Sequence, residues 1–98
     1  MAKPHVFISR RIPQPALDLI ASTCTYSVWD HLSQPAPREV FLSEAARADG
    51  VLVMPSERID AEFLDAAPRC RIVANMAVGY DNIDVAALTL RGVIATNT

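Results

Sequence analysis

Four short segments carry the polar and glycine residues with which this chain could do chemistry. They are Ser9-Arg10-Arg11, Pro55-Ser56-Glu57, Ala77-Val78-Gly79-Tyr80 and Thr96-Asn97-Thr98. The third is the most informative. Gly79 permits positive φ and lets a ligand come close to the backbone. Successive free N–H groups in such a turn form a nest for an anion, so the amides of Val78 and Gly79 could hold a carboxylate. The same residues suit a tight turn, with Asp81 and Asn82 bonding local backbone, and spacing alone favours that turn. Arg10-Arg11 could steer an anion to the same edge, although such pairs are more often solvated beside acidic neighbours. Glu57 could serve as a general base. With no second carboxylate or histidine in reach by sequence, it reads as a lone exposed glutamate. Tyr80 is expected to pack against the helix that follows it rather than stack over a cleft.

Other chemistries lack their residues. Cys24 and Cys70 stand 46 positions apart with no CxxC spacing, and read as reduced thiols packing as small hydrophobes. His5 and His31 have no partner at metal-ligand spacing. His5 reads as a surface residue at a strand start and His31 as loop. No GxGxxG or GxxxxGK[ST] follows any strand, so no nucleotide phosphate is expected to be held here. Nine Lys and Arg against eleven Asp and Glu give a net charge of −2, which leaves no basic stripe for nucleic acid. No apolar run approaches the about 20 residues that span a bilayer. The N-terminus lacks a signal-peptide core, so a cytosolic location is the default expectation.

These segments need elements to hold them. The 98 residues, 51% apolar, fit one folded domain. Val6-Phe7-Ile8 reads as a strand, and a helix follows with Pro15 at its start and Ala16, Leu17, Ile20 and Ala21 at helical spacing. Thr25–Trp29 is a second strand. Residues 30–36 are loop. A helix opens at Pro37, with Val40, Phe41, Ala45 and Ala48 as its apolar stripe and Asp49-Gly50 as its stop. Val51–Met54 has no polar alternation and reads as a buried parallel strand ended by Pro55. Asp60 caps a third helix that buries Phe63, Leu64 and Ala67. Ile72–Met76 is a fourth strand. A fourth helix runs from near Asp84 to Gly92, and Val93–Ala95 is the fifth strand.

Strictly alternating strands and helices predict a parallel sheet with right-handed crossovers, and five strands predict the flavodoxin-like order 2-1-3-4-5. In that topology the first helix covers one face alone and the other three cover the opposite face. The fifth helix that this fold normally adds after strand 5 has no counterpart in the sequence. An apolar patch should therefore lie open, for a second copy of the chain or for the rest of a larger protein. Ligands in such sheets bind beyond the carboxyl ends of the strands, where all four segments lie. Two relatives of this fold are excluded there. A response-regulator receiver needs acidic residues after strand 1 and a lysine after strand 5. A flavodoxin needs a Ser/Thr/Gly phosphate loop where this chain has Arg10-Arg11-Ile12-Pro13.

Ile72-Val73-Ala74-Asn75-Met76-Ala77-Val78-Gly79-Tyr80-Asp81-Asn82-Ile83-Asp84 resembles the substrate loop of the D-2-hydroxyacid dehydrogenases. Val6–Pro13, Ala48–Val53, Arg91-Gly92-Val93 and Thr96-Asn97-Thr98 fit the same family in order, so the resemblance covers the whole chain. It is most similar to the glyoxylate/hydroxypyruvate reductase branch. The resemblance implies a two-domain enzyme. Its flavodoxin-like substrate domain comprises an N-terminal segment and a returning C-terminal helix, and an inserted Rossmann domain binds NAD or NADP. It further implies that a 2-oxo acid's carboxylate is held by backbone amides matching Val78 and Gly79, beside Ala77, with the loop around Met54 lining the pocket. The family's catalytic arginine, glutamate and histidine belong to the inserted domain and match nothing here. Residues 1–98 are thus expected to be a substrate-binding domain ending before the cofactor domain. Such a chain would bind a small 2-oxo acid weakly, hold no cofactor itself, and turn nothing over. The alternative is a free-standing flavodoxin-like interaction module that forms a homodimer through its uncovered sheet face.

Overall fold

The computed structural model describes residues 3–98. In chain order the elements are β1 (His5–Ile8), α1 (Gln14–Ala21), β2 (Thr25–Val28), α2 (Arg38–Ala45), β3 (Gly50–Val53), α3 (Ala61–Ala66), β4 (Ile72–Asn75), α4 (Val85–Arg91) and β5 (Ile94–Thr96). The strands form one five-stranded, all-parallel sheet in the order β2-β1-β3-β4-β5, the expected flavodoxin-like order, with four helices among the described residues.

Local chemistry sets the element ends. Asp60 accepts from the Phe63 amide at 3.1 Å and Asp84 from the Ala87 amide at 3.1 Å, so each caps the helix that follows. Gly92, at φ 69°, closes α4 in the left-handed conformation that glycine takes without penalty. Pro13 and Pro37 stand just outside α1 and α2, so α1 begins one residue before Pro15 and α2 one after Pro37. Gly50 corrects an expectation. It is not a helix stop but the first residue of β3, and a Cβ there would meet Ile72 Cγ2 at 2.9 Å. Its bareness lets β3 and β4 lie side by side.

Strand register sorts the side chains onto two faces. Phe7, Val51, Val53 and Val73 share one face and are packed under Phe41 and Ala45 of α2, Phe63 and Leu64 of α3, and Leu88 of α4. Phe41 stacks on Phe63 at 5.4 Å and tilts against Phe7 at 6.1 Å, which fastens both helices to β1. On the other face lie Val6, Leu52, Ile72, Ala74 and Ile94. Helix α1 packs chiefly against β2, and its stripe of Ala16, Leu17 and Ile20 is itself just half-buried. Ile72 and Ile94 remain exposed. The open apolar patch expected from the topology is present. At the carboxyl edge of the sheet, Met54 and Met76 fall just past the ends of β3 and β4 and carry the chain into the loops that matter.

Candidate functional site

The loop after β4 is pinned by its carbonyls. Thr98 N–H donates to Ala77 O at 2.9 Å, Asn97 Nδ2 to Val78 O at 2.6 Å, and Asn75 Nδ2 to Gly79 O at 3.1 Å. In a trans peptide the C=O and the next residue's N–H point in opposite directions, and no peptide here is cis. Holding these three carbonyls therefore turns the N–H groups of Val78, Gly79 and Tyr80 away from the protein donors. Among the described residues none of the three N–H groups has a protein acceptor. Val78 itself is 81% exposed. The arrangement is a row of outward amides, followed by a tight turn at Asp81-Asn82 that Ile83 N–H closes on Tyr80 O at 3.0 Å.

Two expectations for this loop are corrected. Gly79 does not use positive φ; Gly92 alone does among the described residues. A Cβ at Gly79 would meet nothing within 4 Å, so neither backbone strain nor crowding requires glycine there. Tyr80 is not packed away against α4. It stays 58% exposed at the rim of a hollow of about 240 Å³ shared with Ile83 and Val85.

The loop after β3 departs furthest from expectation. Glu57 is not an exposed glutamate but is buried, and its carboxylate is fully engaged. Oε1 accepts from Ser9 Oγ and from the Met54 amide at 3.2 Å, and Oε2 accepts from Ser56 Oγ and from Arg10 Nη2 at 3.3 Å. Arg10, expected to be solvated, is buried with it and also donates to Ser56 Oγ and to Ser9 O. Only Arg11 behaves as a solvated arginine, pairing with Asp30 at 2.7 Å. Glu57 cannot serve as a base toward a ligand, because both oxygens are already committed. It shapes the loop instead. With its own N–H bonding Met54 O at 3.1 Å, it closes residues 54–57 into a turn, at whose start the Met54 side chain is half-buried.

The two loops are joined by an asparagine pair that the sequence reading assigned no such role. Asn82 Nδ2 donates to Glu57 O at 2.9 Å and Met54 O at 3.3 Å, while Asn75 Nδ2 donates to Asn82 Oδ1 at 3.0 Å. The signal was available in β4. An asparagine inside an apolar buried strand must find partners, and Asn75 is 2% exposed. Between the loops opens a cavity of about 150 Å³, lined by Pro55, Ala77, Gly79, Asp81 and Asn82. The structure thus brings Ala77 and Gly79 to one cavity, ties Met54 to it through Asn82, and leaves Val78 on its outer side. A larger hollow of about 460 Å³ lies at the opposite, amino edge near Asp49, Arg69 and Arg71, away from where ligands bind in such sheets.

Chemically the site can hold an anion by its backbone and enclose a small molecule. A dinucleotide diphosphate needs a glycine-rich turn leading into a helix N-terminus. Of the chain's three glycines only Gly79 lies at this edge, and α1 is entered through Pro13. The residues present do not fit that cofactor. Among the described residues no cluster of His, Cys, Asp and Glu is placed to hold a metal. No helix there is long and apolar enough to cross a membrane.

Comparison with known proteins bears on what such a site serves. The family model described as D-isomer specific 2-hydroxyacid dehydrogenase, catalytic domain, matches residues 6–98. Over 96 residues the chain is 49% identical to a glyoxylate reductase of Thermococcus kodakarensis, covering 98% of this chain and 28% of that protein. A crystal structure from Pyrococcus horikoshii is similar at a TM-score of 0.87 and 27% identity, covering 98% of this chain and 28% of that one. The NADPH-dependent glyoxylate/hydroxypyruvate reductase of Sinorhizobium meliloti, solved with NADP and malonate, is similar at a TM-score of 0.73 and 25% identity, covering 99% of this chain and 28% of that one. The chain spans 28% of the length of each of these relatives.

Proposed function

The chain belongs to the D-isomer specific 2-hydroxyacid dehydrogenases, and on that premise we propose that it is the substrate-holding part of an NAD(P)-dependent reductase. Its substrates are small 2-oxo acids of the glyoxylate or hydroxypyruvate type, and its products D-2-hydroxy acids. The observation that supports this reading is the row of outward amides at Val78, Gly79 and Tyr80, whose carbonyls are all held from behind. Backbone donors fixed in this way lose no reorganisation energy when a carboxylate arrives. The Val78 and Gly79 N–H groups grip the carboxylate. Ala77 and Pro55 wall the carbon skeleton in a cavity of about 150 Å³, which suits an acid of two or three carbons, and Met54 stands behind it, held through Asn82.

The nicotinamide cofactor, when bound, supplies the hydride. Its place is a Rossmann domain outside these residues, as are the groups that polarise the keto oxygen and deliver its proton. By itself the chain binds the acid weakly and is without turnover. The working protein is cytosolic. The malonate found in the Sinorhizobium meliloti reductase is in keeping with a small carboxylate as ligand.

The test is a titration of the 15N-labelled chain with oxamate, which keeps a carboxylate beside a second carbonyl and resists hydration. Shifts centred on the Val78 and Gly79 amides are expected, with a dissociation constant on the order of millimolar, as about 4 kcal/mol of binding implies. Shifts confined to Arg69 and Arg71, or none up to the solubility limit, overturn the reading. NADPH oxidation with glyoxylate by the purified chain would overturn its inactivity.

A second reading, a self-associating module, draws on the exposed Ile72 and Ile94 of the open sheet face. A homodimer through that face is compatible with the first reading and is tested separately below.

A further inference from the structure

We infer that Asn82 is a positioning residue whose side-chain amide makes the Met54 turn and the Gly79–Tyr80 peptide respond as one unit. The inference rests on the substrate reading above and adds to it the residue that fixes the two walls of the site relative to each other.

Asn82 stands in the loop between β4 and α4, half-buried. On one side its Nδ2 reaches Glu57 O at 2.9 Å and Met54 O at 3.3 Å. On the other its Oδ1 accepts from Asn75 Nδ2 at 3.0 Å, and the same nitrogen holds Gly79 O at 3.1 Å. Gly79 O sets the direction of the Tyr80 N–H through the plane of their shared peptide. An unbroken path of hydrogen bonds therefore runs from the Met54 carbonyl to the outermost of the three amides. Only a side-chain amide can serve at its middle, because it presents donors and an acceptor at one planar end. A carboxylate of the same shape would set an oxygen against two carbonyls.

The side chain is not what holds the chain path. Ile59 N–H donates to Asn82 O at 2.8 Å, and Asp84 N–H donates to Ile59 O at 2.8 Å, so a backbone bridge between Ile59 and Ile83 already fastens these segments. Met54 O also keeps its bond from Glu57 N–H at 3.1 Å. What the Asn82 amide adds is coupling between two walls already in place. The substitution Asn82→Ala removes that coupling and leaves the backbone bridge.

The experiment uses the 15N-labelled 98-residue chain with oxamate as probe. Asn82→Ala is expected to keep the wild-type amide shifts of β2, α1, Ile59 and Asp84. It should move those of Gly79 and Tyr80, speed their hydrogen exchange, and weaken oxamate binding at least tenfold. Should that variant not fold, Asn82→Leu carries the same comparison, since it keeps the size and branching of the side chain and has neither donor nor acceptor. Wild-type affinity together with unmoved Gly79 and Tyr80 shifts overturns the inference. A wild-type chain that does not bind oxamate sinks the substrate reading alone, and a second readout then decides this one. Met54→Leu should shift the Tyr80 amide when Asn82 is present and leave it still when Asn82 is alanine. An equal shift in both backgrounds overturns the coupling.

Discussion

Arg10 and Glu57 meet at 3.3 Å with side chains 9% and 5% exposed, whereas the next residue, Arg11, pairs with Asp30 with side chains 54% and 70% exposed. The alternation of a strand end explains the contrast. One arginine of the pair turns under the loop after β3, and its neighbour turns to solvent. A buried pair of this kind is held by its hydrogen bonds, and removing one member leaves the other's charge without compensation.

Glu57→Ala should therefore lower stability by about 3–5 kcal/mol, a large part of what a domain of this size possesses. Arg11→Ala should cost at most about 1 kcal/mol, as exposed pairs do. Urea unfolding of the two variants beside the wild type measures both. Equal midpoints for the two would contradict the assignment of burial to Arg10 and Glu57.

Gly79→Ala separates a glycine kept for the fold from one kept for a ligand. Nothing meets a Cβ there and φ is not positive. Stability should stay level or rise by about 0.4–1 kcal/mol, because alanine has fewer unfolded conformations to lose. Oxamate affinity should fall, since a methyl would stand beside the amide that receives the carboxylate. A variant that binds as tightly as wild type would show that the ligand does not approach Gly79. A loss of stability would show that the fold does need the glycine.

The sheet order, the cap at Asp60 and Gly92 as the end of α4 could be read from the residues because each follows from periodicity or from one residue acting within its own turn. The open face was legible for the same reason, as a count of helices per face. Glu57 and Arg10 were not. Their partners lie 47 positions apart, and sequence spacing carries no information on which loops a parallel sheet brings to one edge. The conformation of Gly79 was not legible either, since glycine permits positive φ without requiring it, and Gly79 does not use it. Asn82 was seen as a local turn former, and its contacts with Met54 and Glu57 exist only once β3 and β4 are paired.

Acid should expose the charge that holds α3 in place. Partial burial pushes the Asp60 carboxyl up, but hydrogen bonds from Arg58 and the Phe63 amide, with Arg38 beside it, bring it below the usual carboxylate value. A carboxylate whose folded value is depressed stabilises the fold above its unfolded value, and that stability is lost as pH falls through the folded value. Asp60→Asn keeps an acceptor for the Phe63 amide and removes the charge. The variant should be less stable than wild type at neutral pH, and the gap should close as pH falls below the usual carboxylate range. A gap that persists in acid would assign the loss to the cap rather than to the charge.

The two cysteines should differ in reactivity. Burial pushes the Cys70 thiol up, and the nearby Asp49 carboxylate acts in the same direction, which outweighs the opposing effect of the Ile72 backbone. The thiolate is the reactive form, so Cys70 is both shielded and short of it. Cys24 is half-buried beside Thr23. Iodoacetamide should alkylate Cys24 first and reach Cys70 only as the chain unfolds, which peptide mass spectrometry follows over time. Equal rates in the native state would contradict the buried placement of Cys70.

Self-association, if it occurs through the open face, must involve β5. That strand closes the sheet, and Ile94 on it is 62% exposed directly beside Ile72 of β4. An apolar edge of this kind favours pairing with another chain, and lysine on an edge strand opposes it. Light scattering across a concentration series should show a monomer–dimer equilibrium for the wild type, and Ile94→Lys should return it to monomer. Because Ile94 contributes little to the core, its replacement should leave the urea midpoint within about 0.5 kcal/mol of wild type. A wild type that stays monomeric at every concentration removes the homodimer. A dimer that survives Ile94→Lys moves the contact to another surface, and the exposed Ile72 and Ile94 would then have to be covered by something other than a second copy of this chain.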